Sequence, residues 1–272
     1  MLTQDDTTTL TIGGDLPVHR LGFGAMRLTG PPSHLDRSTA VAIARRAVEL
    51  GVTFVDTADS YDFGENEEVL AEALHPYPPG VLIATKGGHV NLGDEWIPLG
   101  RPEYLRQQAE LSLRRLRLER IDLYQLHRID PAVPLADQLG ALRRLQDEGK
   151  VRHVGLSEVT VTQLAEAEEI TPIASVQNRY NLADRASDDV LEYCTRRGIA
   201  FVPWRPIARA TPALAAVAAR LGATRAQVSL AWLLHRSPVV VPIPGTSSRA
   251  HLEENLAAAD LTLTAADLAE LT

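Results

Sequence analysis

TFVDTADSYDFGENE, residues 53–67, is the stretch on which the reading of this chain turns. An apolar run, Val52 to Val55, ends in the carboxylate Asp56, and five residues later, past small and acidic residues, comes Tyr61. The design recurs twice. Lys86 follows the apolar run Val81–Ala84 in VLIATKGG, and His127 follows Ile121–Leu126 in IDLYQLHR. Four ionisable residues therefore close three strand-like runs in the same way, which asks for a common site.

Outward from that stretch the chain repeats one unit. Short apolar runs fall at 21–26, 52–55, 81–84, 121–126, 151–155, 173–176, 199–203 and 239–243, eight in all. Between most of them lie segments of helical period. Leu135, Leu139, Leu142 and Leu145 form one stripe before Gly149, Leu105, Ala109, Leu113 and Leu116 form another after Pro102, and Val41, Ala44 and Val48 precede Gly51. Leu10–Ile12 and Pro17–Val18 flank Gly13-Gly14-Asp15 and read as a β-hairpin. Strands alternating with helices pair in parallel through right-handed crossovers. Closure into a (β/α)8 TIM barrel buries runs that are apolar on both faces. The expectation is one α/β barrel domain over residues 1–272 with a short N-terminal β-hairpin, since no shift in composition or Pro/Gly/Ser linker divides the chain. A doubly wound open sheet fits the same alternation, but would scatter the strand ends along an edge. In a barrel, Asp56, Lys86, His127, Ser157, Gln177, Trp204 and Thr246 ring one mouth, where barrel sites form.

Composition narrows the function. The 272 residues are 45% hydrophobic and 23% charged, with net charge −8, which argues against a general nucleic-acid or membrane-surface role. No apolar run nears the roughly 20 residues of a membrane span, and MLTQDDTTTL lacks the basic and apolar regions of a secretory leader, so a cytoplasmic location is expected. Cys194 is the one cysteine, which excludes an intrachain disulfide and a multi-cysteine metal centre; it reads as a small apolar filler. Neither HxH nor HExxH occurs, so no metal is expected. Gly22-Phe23-Gly24 begins a GxGxxG pattern that Arg27 breaks, and the acidic run Asp56, Asp59, Asp62, Glu65 has the wrong spacing for a calcium loop.

A tyrosine, with its reference pKa near 10, is a reluctant acid at neutral pH. An ammonium against the phenol oxygen favours phenolate and lowers that value, and a carboxylate keeps the ammonium charged and aimed. These are roles for Lys86 and Asp56 beside Tyr61, with His127 orienting a substrate oxygen. Singly, each has a plainer reading: Asp56 as a helix cap, Lys86 as a solvated charge, His127 as a satisfied core histidine. Four at matching strand ends are better explained by chemistry.

FVDTADSY, IATKGG and LYQLHR resemble the Asp–Tyr–Lys–His signatures of the aldo-keto reductases. VRHVGLSEV, SVQNRYNL and VVPIPGTSSRAHLEEN are similar to that family's fifth-strand, sixth-strand and C-terminal cofactor segments, so the likeness runs from Leu21 to Asn255. It implies NADPH-dependent reduction of an aldehyde or ketone to an alcohol, with Tyr61 giving the proton, Lys86 and Asp56 tuning it and His127 orienting the carbonyl. It implies that Ser157, Gln177 and the neighbouring Glu158 meet the nicotinamide carboxamide, and that Trp204, beside Arg205, stacks on the ring. Gly245, Thr246 and Ser247 would offer backbone amides to the adenosine phosphate, and Glu254 and Asn255 would meet the adenine. Two departures bear on this. Glu158 stands where many members have Asn, so it can accept from the carboxamide but not donate. The basic residue near the 2′-phosphate is missing from its usual positions, held here by Gly245, Ser248 and His251, which leaves Arg249 as the nearby cation. The sequence stops at Thr272, without the long C-terminal substrate loop of many relatives, so Met26, Trp96 and Arg128 are the expected substrate contacts. Gly30-Pro31-Pro32, LHPYP at 74–78 and GTSSRAHLEEN look closest to a bacterial pyridoxal reductase-like subgroup, which makes pyridoxal or another small aldehyde the expected substrate. The rival reading is a non-catalytic NADP(H)-binding regulatory protein of the channel β-subunit type. The sequence leaves the oligomeric state and the preferred direction open.

Overall fold

A computed structural model describes residues 8–271 of the chain except Pro32, His34 and Asp94. Residues 1–7, which carry the leader reading, Pro32 of the Gly30–Pro32 likeness, and the last residue Thr272 lie outside the described residues.

The expected hairpin is present: β1 (Thr9–Ile12) pairs antiparallel with β2 (Leu16–His19), with Ile12 opposite Leu16. The turn needs left-handed backbone at Gly13 (φ +62°) and Gly14 (φ +84°), which glycine adopts without a Cβ clash. Then come β3 (Phe23–Gly24), β4 (Phe54–Asp56) and β5 (Leu82–Gly87). A second hairpin, β6 (His89–Asn91) with β7 (Trp96–Pro98), is inserted after β5. The remaining strands are β8 (Ile121–Leu126), β9 (Val151–Ser157), β10 (Ile173–Gln177) and β11 (Ala200–Phe201). The sheet runs β11-β10-β9-β8-β5-β4-β3, and every pair in it is parallel.

The eighth run, 239–243, closes the barrel without forming a regular strand. On one side Phe201 N donates to Val239 O and Val241 N to Phe201 O, both at 2.8 Å. On the other, Gly22 N donates to Pro242 O at 2.9 Å and Gly24 N to Pro244 O at 3.3 Å. The return bonds would need N–H groups at Pro242 and Pro244, and proline has none. The closure is therefore a half-ladder. Gly24 and Gly245 make it possible, because a Cβ on either would lie 2.8 Å from the backbone oxygen across the seam (Ile243 O and Gly24 O respectively).

Helices α1 (Arg37–Glu49), α2 (Glu65–Leu74), α3 (Pro102–Leu116), α4 (Leu135–Asp147), α5 (Val161–Glu168), α6 (Asp188–Arg197), α7 (Pro212–Leu221), α8 (Arg225–Arg236), α9 (Arg249–Leu256) and α10 (Ala265–Leu271) complete the elements. Their starts are chemically marked: Asp36 accepts from Thr39 N, and Thr160 and Thr224 form capping boxes with Gln163 and Gln227. The helices' apolar faces and the outward faces of the strands form two large clusters, one of which includes the buried Cys194, whose thiol is pushed up to about 12 chiefly by burial.

The barrel interior is layered. Phe54, Leu82, Ala84, Leu123, Val241 and Ile243 fill its lower part, and Ile12, Leu16 and Val18 of the first hairpin join that cluster as a plug. One or two residues further along the same strands the interior turns polar: Asp56, Lys86, Gln125, Ser175 and Gln177 are all buried. Gly155 makes room for this layer, since a Cβ there would lie 2.3 Å from Ser175 Oγ and 2.9 Å from Gln125 Cγ.

Candidate active site

Asp56 is the last residue of β4, Lys86 the fifth of the six residues of β5, and His127 follows β8. All three point inward by the two-residue alternation of strands. Tyr61 begins a 3-10 turn (Tyr61–Gly64) after β4, and that turn brings the phenol back over the lysine. Lys86 Nζ donates to Asp56 Oδ2 at 2.7 Å, to Thr57 O at 2.8 Å and to Tyr61 Oη at 3.1 Å. The three donors of the ammonium thus have three acceptors. The pair is dry: the side chains of Lys86 and Asp56 are 0% and 3% exposed. His127 stands with its ring centroid 5.8 Å from that of Tyr61, and its Nδ1 lies 3.4 Å from Ser60 Oγ. The four predicted residues are brought together.

Their electrostatics follow from burial. Burial alone would pull the Lys86 ammonium down, but Asp56 and Tyr61 together hold it above its ordinary value. His127 is driven well below the usual imidazole range, first by burial and then by the positive charges of Lys86 and Arg128, so it is neutral at pH 7. Tyr61 departs from the sequence expectation. Lys86 does pull its pKa down, but burial outweighs the lysine and Asp56 opposes it, so the net direction is upward from 10. The ammonium that sequence alone can see is countered by a low-dielectric setting that it cannot.

Around this centre lie contacts that the sequence reading did not anticipate. Asp56 Oδ1 accepts from Gln177 Nε2 at 2.8 Å and from Gln125 Nε2 at 3.3 Å. His89, on β6, has its ring centroid 4.9 Å from His127 and 5.0 Å from Trp96. Both had a signal available. Gln125 shares the inward parity of Leu123 and His127 on β8, and His89 follows Lys86-Gly87-Gly88 directly.

The expected cofactor residues lie on several elements. Ser157 ends β9, and its hydroxyl accepts from Arg128 Nη1 at 2.9 Å. Glu158 adopts a left-handed backbone (φ +57°), and its Oε1 accepts from Arg179 N at 2.6 Å and Trp204 Nε1 at 2.5 Å. It therefore fastens the indole of Trp204, which also lies 5.5 Å from the Arg205 guanidinium and 6.0 Å from that of Arg179. Thr246 is buried and its hydroxyl accepts from Ser248 N at 3.0 Å, shaping the entry to α9 just past Gly245, Thr246 and Ser247. Asn255 is 4% exposed and its side chain makes no hydrogen bond among the described residues, while Glu254 is half-buried. Arg249 is different: its side chain is 67% exposed and donates to Glu253 Oε1 at 3.3 Å, on a carboxylate that also binds Arg46.

Of the three expected substrate contacts, Trp96 faces the centre, its ring centroid 6.5 Å from Tyr61 and 6.4 Å from His127. Arg128 is partly buried between His127 and Ser157. Met26, 49% exposed, stands on the rim past β3.

Comparison with known proteins speaks to the family and the fold. The profile of the Aldo/keto reductase family matches residues 20–272. The chain is 49% identical over 267 residues to an uncharacterized oxidoreductase of Schizosaccharomyces pombe, covering 95% of this chain and 87% of the relative. It is 42% identical over 273 residues to the pyridoxine 4-dehydrogenase of Escherichia coli, covering 94% of each, which supports the likeness to the pyridoxal reductase-like subgroup. Among solved structures, a thermostable aldo-keto reductase in complex with the inhibitor epalrestat superposes with TM-score 0.86 at 28% identity, covering 100% of this chain and 98% of that one. An aldo-keto reductase from Klebsiella pneumoniae in complex with NADPH gives 0.82 at 27% identity, covering 100% and 94%. A tetrad gathered at the mouth of a closed barrel, and a family match over nearly all of the sequence, lead to one statement: this chain belongs to the aldo/keto reductase family of oxidoreductases.

Proposed function

We propose that the chain, as a single barrel domain over residues 1–272, reduces an aldehyde or ketone to an alcohol with NADPH, and that Tyr61 is the proton donor. One observation carries this reading: a fully buried ammonium, Lys86, is fixed at once to Asp56 at 2.7 Å and to Tyr61 Oη at 3.1 Å. The upward direction of the Tyr61 pKa supports it, because a phenol that is fully protonated at neutral pH is in the state that gives a proton. When it does so, the phenolate left behind faces the Lys86 ammonium, which offsets the cost of a buried negative charge. His127, neutral, offers an N–H to the carbonyl oxygen without adding a second cation, and Ser60 steadies its ring. A well-placed acid of this kind contributes roughly 100- to 10,000-fold in rate.

The residues present suit the cofactor. NADPH supplies the hydride when bound. Gln177 has its amide nitrogen turned to Asp56, which leaves its oxygen to accept from a carboxamide, and Ser157 adds a hydroxyl beside it. Trp204, held by Glu158, offers a ring for stacking. Gly245, Thr246 and Ser247 lead into α9, whose first backbone amides suit a phosphate, and Asn255, whose side chain has no hydrogen bond among the described residues, suits the adenine beside Glu254. Arg249 reaches a 2′-phosphate by leaving Glu253, an exposed and therefore weak pair. The pyridoxine 4-dehydrogenase relative favours pyridoxal or another small aldehyde as the carbonyl compound.

The test is the loss of NADPH absorbance with a panel of small aldehydes, for the unaltered protein and for Tyr61→Phe. Turnover should fall by at least 100-fold in the variant while NADPH binding, followed by its fluorescence, stays close to normal. Retained turnover in Tyr61→Phe would place the acid elsewhere. Tight NADPH binding by the unaltered protein without turnover of any aldehyde would replace the enzyme by the regulatory alternative.

A further inference from the structure

We propose that Arg128 determines substrate specificity by binding an anionic oxygen next to the reacting carbonyl, so that ortho-hydroxyaryl aldehydes are preferred over plain aryl aldehydes. The proposal rests on the reductase reading of the same site. Arg128 follows His127 directly, and its Nη1 donates to His127 O at 2.6 Å and to Ser157 Oγ at 2.9 Å. The guanidinium therefore bridges the mouth ends of the neighbouring strands β8 and β9. Only Nη1 is used. Neither Nη2 nor Nε has a hydrogen-bond partner among the described residues, and Arg128 joins no ion pair among them.

That state is costly for a partly buried cation, and it contrasts with Arg20, whose guanidinium donates to the carbonyls of Val240, Leu234 and Ser237. Burial is the main pull on the Arg128 pKa, downward, and Glu158 counters it without forming an ion pair. The positive charge of Arg128 is felt at Tyr61, His127 and His89 alike, in keeping with its place directly after His127 at the end of β8. A planar fork with an unused edge matches an anionic oxygen better than a point charge would. The walls favour an aromatic carrier: the rings of Trp96, His89, Tyr61 and His127 pack against one another at centroid distances of 4.9 to 6.5 Å. A ring hydroxyl ortho to a formyl group puts its oxygen beside the carbonyl oxygen, so one molecule would engage Arg128 and Tyr61 together. Pyridoxal has this arrangement, and so does the simpler 2-hydroxybenzaldehyde.

The experiment compares kcat/KM for 2-hydroxybenzaldehyde and benzaldehyde in the unaltered protein, Arg128→Gln and Arg128→Lys. The preference for the hydroxyl-bearing substrate should collapse by at least 10-fold in Arg128→Gln, mainly through KM, and recover in part in Arg128→Lys. It should also rise with pH as the phenol ionises, and be flat with pH in Arg128→Gln. Equal losses for both substrates would mean that Arg128 only braces His127 and Ser157, and would overturn the proposal. A readout without turnover runs alongside: calorimetric binding of salicylate to the NADP+-loaded protein should weaken at least 10-fold in Arg128→Gln. If no aldehyde is reduced, the reductase reading fails, yet unchanged salicylate binding would still count against Arg128 and weakened binding would still support it.

Discussion

Asp59 and Lys86 show how differently one barrel mouth treats two buried charges. Lys86 has an acceptor for each of its three donors, whereas Asp59, 5% exposed, has no well-aligned hydrogen bond to either carboxylate oxygen among the described residues, only the weak pull of the adjacent Ser60. Its pKa is raised to about 8, first by burial and then by the Glu67 carboxylate, with Arg115 pulling the other way. Tyr104 and Tyr124 feel its charge as well. The sign follows directly. Folded Asp59 holds its proton up to about pH 8, while the unfolded chain releases it near 3.8, so its contribution to stability falls as pH rises between those values and levels off above them. Asp59→Asn removes that titration. It should leave stability near pH 4 almost unchanged and raise it increasingly toward pH 8, under a ceiling of about 6 kcal/mol set by the full shift. Urea unfolding at pH 4, 6 and 8 measures this, and a gain equal at all three values would contradict it. Sequence reading saw Asp59 only as part of an acidic run with the wrong spacing for a calcium loop; its burial is a tertiary fact.

At the scale of elements, helix ends were easier to read than strand ends. Gly149 does follow α4, and Pro102 does begin α3, because capping chemistry is local. The end of α3 is less regular. Arg117 caps it in a left-handed conformation (φ +55°), where α6 and α7 use Gly198 (φ +68°) and Gly222 (φ +62°). A side chain in that region costs roughly 1–2 kcal/mol, and glycine returns part of it to unfolded-state entropy. Arg117→Gly should therefore stabilise the protein by about 0.5–1 kcal/mol, seen as a rise in Tm of roughly 1–4 °C. A fall in Tm would mean that the exposed Arg117 side chain has a role beyond the cap. The eighth run shows the opposite limit. Val239–Ile243 reads as a strand by composition, yet Pro242 and Pro244 remove the return bonds toward β3, so on that side it seals the barrel through its carbonyls alone.

Taken whole, the molecule separates a stability end from a reaction end. The β1–β2 hairpin plugs the lower interior with Ile12, Leu16 and Val18, while the tetrad occupies the opposite layer. Ile12, 1% exposed, should cost roughly 2–4 kcal/mol when cut to Ala, the range for a buried large-to-small change. The urea midpoint should drop while kcat at 25 °C holds near its normal value. Loss of kcat with the fold intact would join the two ends in a way the layering does not. Sequence by itself determined the repeating unit, the barrel, and which side chains stand at strand ends, because apolar period and position along a strand are properties of neighbours in the chain. Only the tertiary structure decided that burial outweighs Lys86 at Tyr61, that Glu158 fastens Trp204, that Gln125 and Gln177 share Asp56, and that Arg128 spends only Nη1 on hydrogen bonds among the described residues. Those depend on distances between residues up to 121 positions apart in sequence and on how much water reaches them, and neither is written in local order.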